Sequence, residues 1–372
     1  MHLSYCTNVH PAEDLAGIIA QFDAYAVPVR ELLDTSVLGL GLWLAAPVAA
    51  ELAADQALRR RLRLELKARG LEVVTLNGFP YRAFQAPVVK HAVYRPSWTS
   101  RDRLGYTFNL ARVLVDLMPE HAARGSISTL PLAWRQPWDP SRASTVARHL
   151  DELARRLARL SADTGRTIRV GFEAEPGCVI ENTTQAVTLL SDVDTQWLGL
   201  CLDLAHLACA WEDPKVAIDR LRRAKLPIVK VQLSAALEAT DPVAARDALC
   251  AYVEPRFLHQ TRSAHGPATD DLDQALDAQL PGPWRIHYHV PLHAPPAAPL
   301  TSTVPVLKAA VGELLSGPEP DCDHFDVETY TWNVLPIDQR PRDAAGLAAG
   351  IAAEIAFARC LLTASARTGV AR

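Results

Sequence analysis

The sequence predicts a single (β/α)8 barrel, a closed parallel sheet ringed by helices, with an insertion between its seventh and eighth strands. Three observations predict it. Short apolar runs alternate with amphipathic helical stretches, which implies parallel strands joined by right-handed crossovers. Eight such runs can be counted along the chain. The 372 residues are too many for one average domain but suit one barrel carrying insertions.

In chain order, the predicted strands are residues 3–8, 38–44, 71–76, 126–130, 167–173, 197–203, 228–233 and 325–330. Helical patterns lie between them over residues 51–68, 144–164, 184–190 and 216–224. The second of these repeats Leu150, Leu153, Leu157 and Leu160 at the spacing of one helix face. Two more strand-like runs, 256–262 and 285–291, fall between the seventh and last strands and flank Gly266 and Pro267. Residues 237–299 therefore read as an insertion, a lid over the barrel mouth, within one domain spanning 1–372. The proline-rich end of that insertion, 291–299, reads as loop. A second long connection, 77–98, holds Gly78, Pro80, Pro87 and Pro96 among several aromatics. Long ordered loops in a compact domain are often functional, and both would lie at the same end of the barrel.

Composition narrows the function classes. Apolar residues make up 49% and charged residues 22%, ordinary for a globular chain with an ample core. The net charge of −4 argues against a protein that grips nucleic acid through its phosphates. Arg59, Arg60, Arg61 and Arg63 cluster on a helical stretch and read as a solvated face. Seven scattered cysteines, none in CxxC spacing, suit a reduced, cytoplasmic protein. The first residues lack the basic start and apolar run of a secretory leader. No uncharged apolar run reaches the roughly eighteen residues of a membrane span.

The chemistry is expected where strands end, because C-terminal strand ends converge on one pocket in this architecture. Those ends deliver Glu173, Asp203, Gln232 and Glu328. Three carboxylates forced together repel unless a positive charge sits among them, and a divalent cation is the simplest solution. Oxygen donors favour Mn2+ or Mg2+, with Zn2+ also admissible. Each residue has a plainer reading. Asp203 is a favoured helix cap. Glu173 would pair with Arg169 inside the barrel, and Gln232 would be a satisfied core amide. Glu328 is the hardest to explain otherwise, since a lone carboxylate in an apolar and aromatic run is expensive to bury. Glu175 shares a face with Glu173 if the strand runs through both, but Pro176 leaves its direction open. His287 and His289 share a face of one run and offer metal or substrate contacts, or simply hydrogen-bond beneath the insertion. Asn8 and His10 close the first strand, either at the substrate rim or as ordinary loop polar groups.

The Glu173, Asp203-x-x-His206 and Glu328 pattern resembles the metal site of the xylose isomerase-like barrel superfamily, which includes sugar isomerases, ketose 3-epimerases and endonuclease IV. A closer resemblance rests on several separated segments: Leu3-Ser-Tyr-Cys-Thr-Asn-Val-His-Pro11, Tyr94-Arg-Pro-Ser-Trp98, Glu173-Ala-Glu-Pro-Gly-Cys178, Val231-Gln-Leu-Ser-Ala-Ala-Leu237, Leu258-His-Gln260, His287-Tyr-His-Val-Pro291 and Val327-Glu-Thr-Tyr-Thr-Trp332. Together they resemble EboE, the "metabolite traffic" family of bacterial Ebo clusters. That resemblance implies a barrel handling a small secondary-metabolite precursor, with other Ebo-cluster proteins as partners. It also implies metal ligands at Glu173, Asp203 and Glu328 and a substrate contact at His206. In the epimerase relatives the seventh strand supplies a histidine ligand. Here Gln232 stands in that place, with Lys230 two residues before it on the same face. Either the metal is held more weakly, or His289 substitutes, or metal binding has been lost.

The expected mechanism is a metal-dependent isomerisation or epimerisation of a small polyhydroxylated metabolite. Glu173 or Glu328 would remove a proton beside a carbonyl, with the metal and His206 stabilising the enediolate. Asn8, His10, Lys230, His287 and Trp332 complete the expected substrate contacts. The alternatives are a carrier that keeps the pocket without the reaction, and an endonuclease IV-like phosphodiesterase, for which no basic groove is evident.

Overall fold

The computed structural model describes residues 1–370. Eight parallel strands close into a barrel: β1 (His2–Cys6), β2 (Leu38–Trp43), β3 (Leu71–Asn77), β4 (Arg124–Thr129), β5 (Thr167–Glu173), β6 (Leu198–Asp203), β7 (Ile228–Leu233) and β8 (His324–Val327). Closure is made where β1 pairs with β8, Ser4 beside Asp326 and Tyr5 beside Val327. On its other side β8 pairs with β7, placing Asp326 beside Gln232.

The helices begin where the sequence offers a cap. Asp14, Asp139, Asn182 and Asp213 each accept a hydrogen bond from a backbone N–H in the first turn that follows. The helix Pro140–Thr164 buries Val146, Leu150, Leu153 and Leu157 along one face and ends on Gly165, whose left-handed φ of 69° suits glycine. The single helix expected over 51–68 is instead two, Ala46–Ala54 and Gln56–Ala68. Asp55 breaks it, because its extended backbone lets the carboxylate cap Ala57 and Leu58.

Two strand ends fall short of expectation by two or more residues, and both matter for the site. Beyond Cys6 the chain turns through a 3-10 segment, Thr7–Val9. β8 stops at Val327, although the Glu328 N–H still donates to the Leu233 carbonyl at 3.2 Å. Asn8, two residues past β1, and Glu328, the first residue past β8, thus sit at the barrel mouth.

The barrel interior is more polar than the branched aliphatic layers usual in this architecture. Lys230 forms a 2.7 Å ion pair with Asp326, both fully buried. Ser4 donates to Asp326 at 2.6 Å. Lower down, Ser126 bonds Thr75 and His324, each at 2.8 Å. Gly41 makes room for this layer, since a Cβ there would collide with the Asp326 carboxylate.

Between β7 and β8 the chain builds a separate five-stranded antiparallel sheet. Its order is Ala268–Thr269, Thr261–Ser263, Trp284–His289, Ala236–Ala239 and Thr301–Ser302. Of the strand expected over 256–262, only the end is strand. Glu254 holds the earlier part as a turn by accepting from the Arg256 and Phe257 backbone and contacting His259. The last helix, Ala344–Val370, contains in Ala344–Ala366 a stretch long and apolar enough to cross a membrane by length and composition. Here one face of it, Leu347, Ile351, Ile355 and Leu362, is buried, together with Glu354. This is the packing of a core helix.

Candidate functional site

The convergence expected at the strand ends is present. Glu173 is the last residue of β5, Asp203 the last of β6, Gln232 the penultimate of β7, and Glu328 follows β8. Glu173 and Glu328 line a pocket together with Asn8, His206, His287 and His289. Opposite this polar floor stands an apolar wall, built by Phe79, Phe84 and Tyr94 of the 77–98 connection and by Phe257 and Leu258 of the insertion.

Glu328 is held on three sides. One oxygen accepts from Asn8 at 2.7 Å and Asn77 at 2.8 Å, and the other accepts from the Gln232 amide. The Gln232 carbonyl accepts from the Cys201 thiol at 3.0 Å, so this side chain is engaged at both ends. Asp203 fulfils both of its readings through separate oxygens. Its Oδ1 caps the following helix at the His206 N–H (2.9 Å) and accepts from Ser234 (2.7 Å), while Oδ2 has no partner. Glu173 likewise keeps a buried Oε2 with no partner. Arg169 does not pair with it and donates instead to the Gln196 and Thr195 carbonyls.

Three imidazoles face this floor, and their partners fix their tautomers. His206 Nδ1 lies 2.9 Å from the Ala174 carbonyl and His289 Nδ1 lies 2.7 Å from the Glu328 carbonyl. A carbonyl only accepts, so each Nδ1 carries the proton and each Nε2 presents a lone pair. His287 Nδ1 meets the Gln260 side-chain oxygen at 2.7 Å, and Gln260 is oriented by donating its NH2 to Tyr94 (2.7 Å) and the Pro176 carbonyl (3.0 Å). His206 is therefore an acceptor toward the pocket, not the donor that enediolate stabilisation would require. Its Nε2 lies 2.8 Å from His287 Nε2 and 3.1 Å from Glu175 Oε2. His289 Nε2 is buried without a partner.

Burial dominates the electrostatics. It raises the Glu173 and Glu175 carboxyls well above their ordinary range, and neighbouring carboxylates add to the rise at both. Glu328 is raised to about 8 by burial and then by Asp203. Burial pushes His206 down to about 4 and lowers His289 and His287 as well.

The donor set fits a divalent cation. Glu173, Asp203 and His206 each offer a ligand atom within 4.8 Å of the others, and so do Asp203, His289 and Glu328. The unpartnered Glu173 Oε2, Asp203 Oδ2 and His289 Nε2 are the atoms a cation would satisfy.

Three expected contacts are elsewhere. His10 lies under the first helices, stacked on Tyr25 at 4.2 Å and bonded to the Tyr5 hydroxyl, with burial lowering it to about 3. Lys230 is committed to Asp326 within the barrel. Trp332 packs against Gly350 of the last helix and stacks with His293. Conversely, Asn77, Tyr94 and Gln260 belong to the site without having been singled out. Asn77 ends β3 and was legible by the strand-end rule. Gln260 carries no such signal, because its place depends on how the insertion folds back.

Among known proteins, a family model described as the xylose isomerase-like TIM barrel matches residues 39–259, more than half of the chain. No curated protein matches the sequence. Solved structures share the architecture at low identity. A xylose isomerase-like TIM barrel protein from Mycobacterium smegmatis, in complex with magnesium, is 14% identical with a TM-score of 0.54, covering 98% of this chain and 97% of that one. A probable 3-DHS dehydratase of Bacillus anthracis, AsbF, involved in petrobactin synthesis, is 15% identical with a TM-score of 0.52, over 96% and 99%. An L-ribulose 3-epimerase is 12% identical with a TM-score of 0.52, over 98% and 95%. At these identities the likeness is one of fold.

Proposed function

The chain belongs to the xylose isomerase-like TIM barrel family, and from that premise we propose a metal-dependent isomerase or epimerase acting on a small polyhydroxylated metabolite, a sugar or cyclitol derivative. One observation carries the reading: Glu173 Oε2, Asp203 Oδ2 and His289 Nε2 are buried ligand atoms without partners, and Asp203 lies within ligand reach both of Glu173 and His206 and of His289 and Glu328. Glu173, Asp203 and Glu328 would hold the ion, with His289 as its nitrogen donor in place of the engaged Gln232. When bound, such an ion supplies Lewis-acid polarisation of a substrate carbonyl and hydroxyl. The magnesium complex among the fold relatives is consistent with Mg2+ or Mn2+.

The chain's own groups divide the remaining work. Glu173, its carboxyl raised by burial, takes and returns the proton at the carbon bearing the hydroxyl through the oxygen that the ion leaves open. Glu328, fixed by Asn8, Asn77 and Gln232, keeps its position while charge develops beside it. Asn8 Oδ1, buried and unpartnered, accepts a hydrogen bond from a substrate hydroxyl. Phe257 and Leu258 of the insertion line the pocket and would shield the reacting carbon from water. The wall they form with Phe79 and Phe84 suits an apolar portion of the substrate. A metabolite precursor of the kind EboE-like proteins handle would combine such a portion with a hydroxylated head, and the seven unpaired cysteines suit a cytoplasmic setting.

The test is deuterium exchange. Candidate ketoses and cyclitols incubated in D2O with the Mn2+-loaded protein should gain deuterium at the carbon beside the carbonyl, and Glu173→Gln should lose that exchange. Binding of such a compound without exchange would favour a carrier. The direct Gln232–Glu328 bond, at the seventh-strand position where the relatives place a ligand, gives that second reading its support.

A further inference from the structure

We infer that this pocket seats two divalent cations, the second held by the Nε2 atoms of His206, His287 and His289 and of the nitrogen-preferring kind, such as Zn2+ or Co2+. The inference rests on the metal reading above and extends it.

The first argument is the tautomers. Each of the three rings spends its Nδ1 proton on a carbonyl-type oxygen: the Ala174 backbone, the Gln260 side chain and the Glu328 backbone. Gln260 cannot reverse its amide without losing its bonds to Tyr94 and the Pro176 carbonyl. All three Nε2 lone pairs consequently face inward, and one ligand atom from each ring lies within 4.8 Å of the others. Two of them, on His206 and His287, stand only 2.8 Å apart. Two lone pairs at that distance repel unless a cation or a shared proton lies against them. The third, on His289, is 1% exposed as a residue and has no partner at all. Metal-bound histidine characteristically donates its other ring nitrogen to a carbonyl or carboxylate, and all three rings are pinned in that way.

The second argument is charge. Glu173, Glu175, Asp203 and Glu328 are all at least nine-tenths buried around the pocket floor. Lys230 is paired with Asp326 inside the barrel and does not line the pocket. Lys90, the one cation among the described residues lining the pocket, is paired with Asp271 at 2.5 Å. A cation in the histidine seat adds positive charge beside four buried carboxyls that no unpaired lysine or arginine among the described lining residues supplies.

The donors sort by chemistry. Glu173, Asp203 and Glu328 form an oxygen-rich seat suited to Mg2+ or Mn2+. Three imidazoles form a seat suited to Zn2+ or Co2+. With one ion bound, His289 serves the oxygen-rich seat. With both bound it joins His206 and His287, and Gln232 or solvent completes the first.

Stoichiometry tests this on the full-length protein. Metal-free protein is titrated calorimetrically with ZnCl2 and with MnCl2, and metal content is confirmed by elemental analysis after desalting. The expected result is two Zn2+ but one Mn2+ per chain, and His287→Ala lowering zinc to one while leaving manganese at one. Retained manganese binding shows that the variant is folded. Cobalt titration of the unaltered protein gives a reading that needs no variant: one of the two Co2+ equivalents should bring the intense visible absorption of a four-coordinate nitrogen site. One Zn2+ per chain together with one Mn2+ would overturn the second seat and leave the first intact, a shared proton then joining His206 to His287. Two Zn2+ retained in His287→Ala would also overturn it, and no binding of any ion would overturn both readings.

Discussion

Replacing Glu354 with glutamine should flatten the pH dependence of stability. Glu354 lies on the inner face of the last helix, 1% exposed. One of its oxygens accepts from the Leu292 N–H at 3.0 Å and from Thr329 at 2.6 Å, so it ties that helix to the insertion's exit and to the residue after Glu328. Burial raises its carboxyl from 4.5 to about 7 against the opposing pull of those bonds. The folded state therefore keeps a proton that the unfolded chain releases. That contribution is complete below the unfolded value and is lost as pH rises through the folded one. Each pH unit between the two values is worth about 1.4 kcal/mol, so crossing the window removes about 3 kcal/mol. With a urea m-value of about 3 kcal/mol/M, that is a shift of about 1 M in midpoint. Urea unfolding from pH 4.5 to 7.5 should show Glu354→Gln losing about 3 kcal/mol less than the wild type, both proteins sharing the loss contributed by the raised Glu173, Glu175 and Glu328 carboxyls. Parallel curves for the two proteins would refute the burial of this carboxyl, and with it the docking of the last helix on the barrel.

Other perturbations follow from the same packing. Lys230→Met leaves Asp326 charged and unpaired in the barrel and should destabilise by about 3–5 kcal/mol in chemical denaturation, with Asp326→Asn in the same chain restoring part of the loss. Gly41→Ala drives a Cβ into the Asp326 carboxylate and should lower stability by about 1–3 kcal/mol. Asn77→Ala removes one of the donors fixing Glu328 and should weaken metal affinity about 10–100-fold by calorimetry, with little change in melting temperature. Glu328→Gln should abolish or greatly weaken metal binding, and unchanged affinity in that variant would remove Glu328 from the ligand set.

The barrel was legible because its signals are local. Strand runs such as 167–173 and 228–233 match the structure to the residue, since each is bounded by polar or turn-forming neighbours. The strand-end rule placed Glu173, Asp203, Gln232 and Glu328 at one end of the barrel without any knowledge of the intervening helices, and Glu173 and Glu328 line the pocket there. What failed to read depends on distant partners. Lys230 alternates onto the same inward face as Gln232, and only the register with β8 shows Asp326 beside that face to neutralise it. His10 follows a strand end like Asn8, but the 3-10 turn over Thr7–Val9 sends the two side chains in opposite directions. Gln260 and Glu175 enter the site through the fold of the insertion and the turn at Pro176, which no periodicity records. The tautomers that make His206 an acceptor likewise depend on carbonyls contributed by other segments.

The most direct test of the central claim is the divalent metal content of untagged protein, measured by elemental analysis beside the Glu173→Gln variant. The account predicts at least one divalent ion per chain in the wild type, with the ion of the oxygen-rich seat missing from the variant. Protein that binds no divalent ion after reconstitution with Mg2+, Mn2+ and Zn2+ would contradict it, and the barrel would then be a carrier with an inherited pocket.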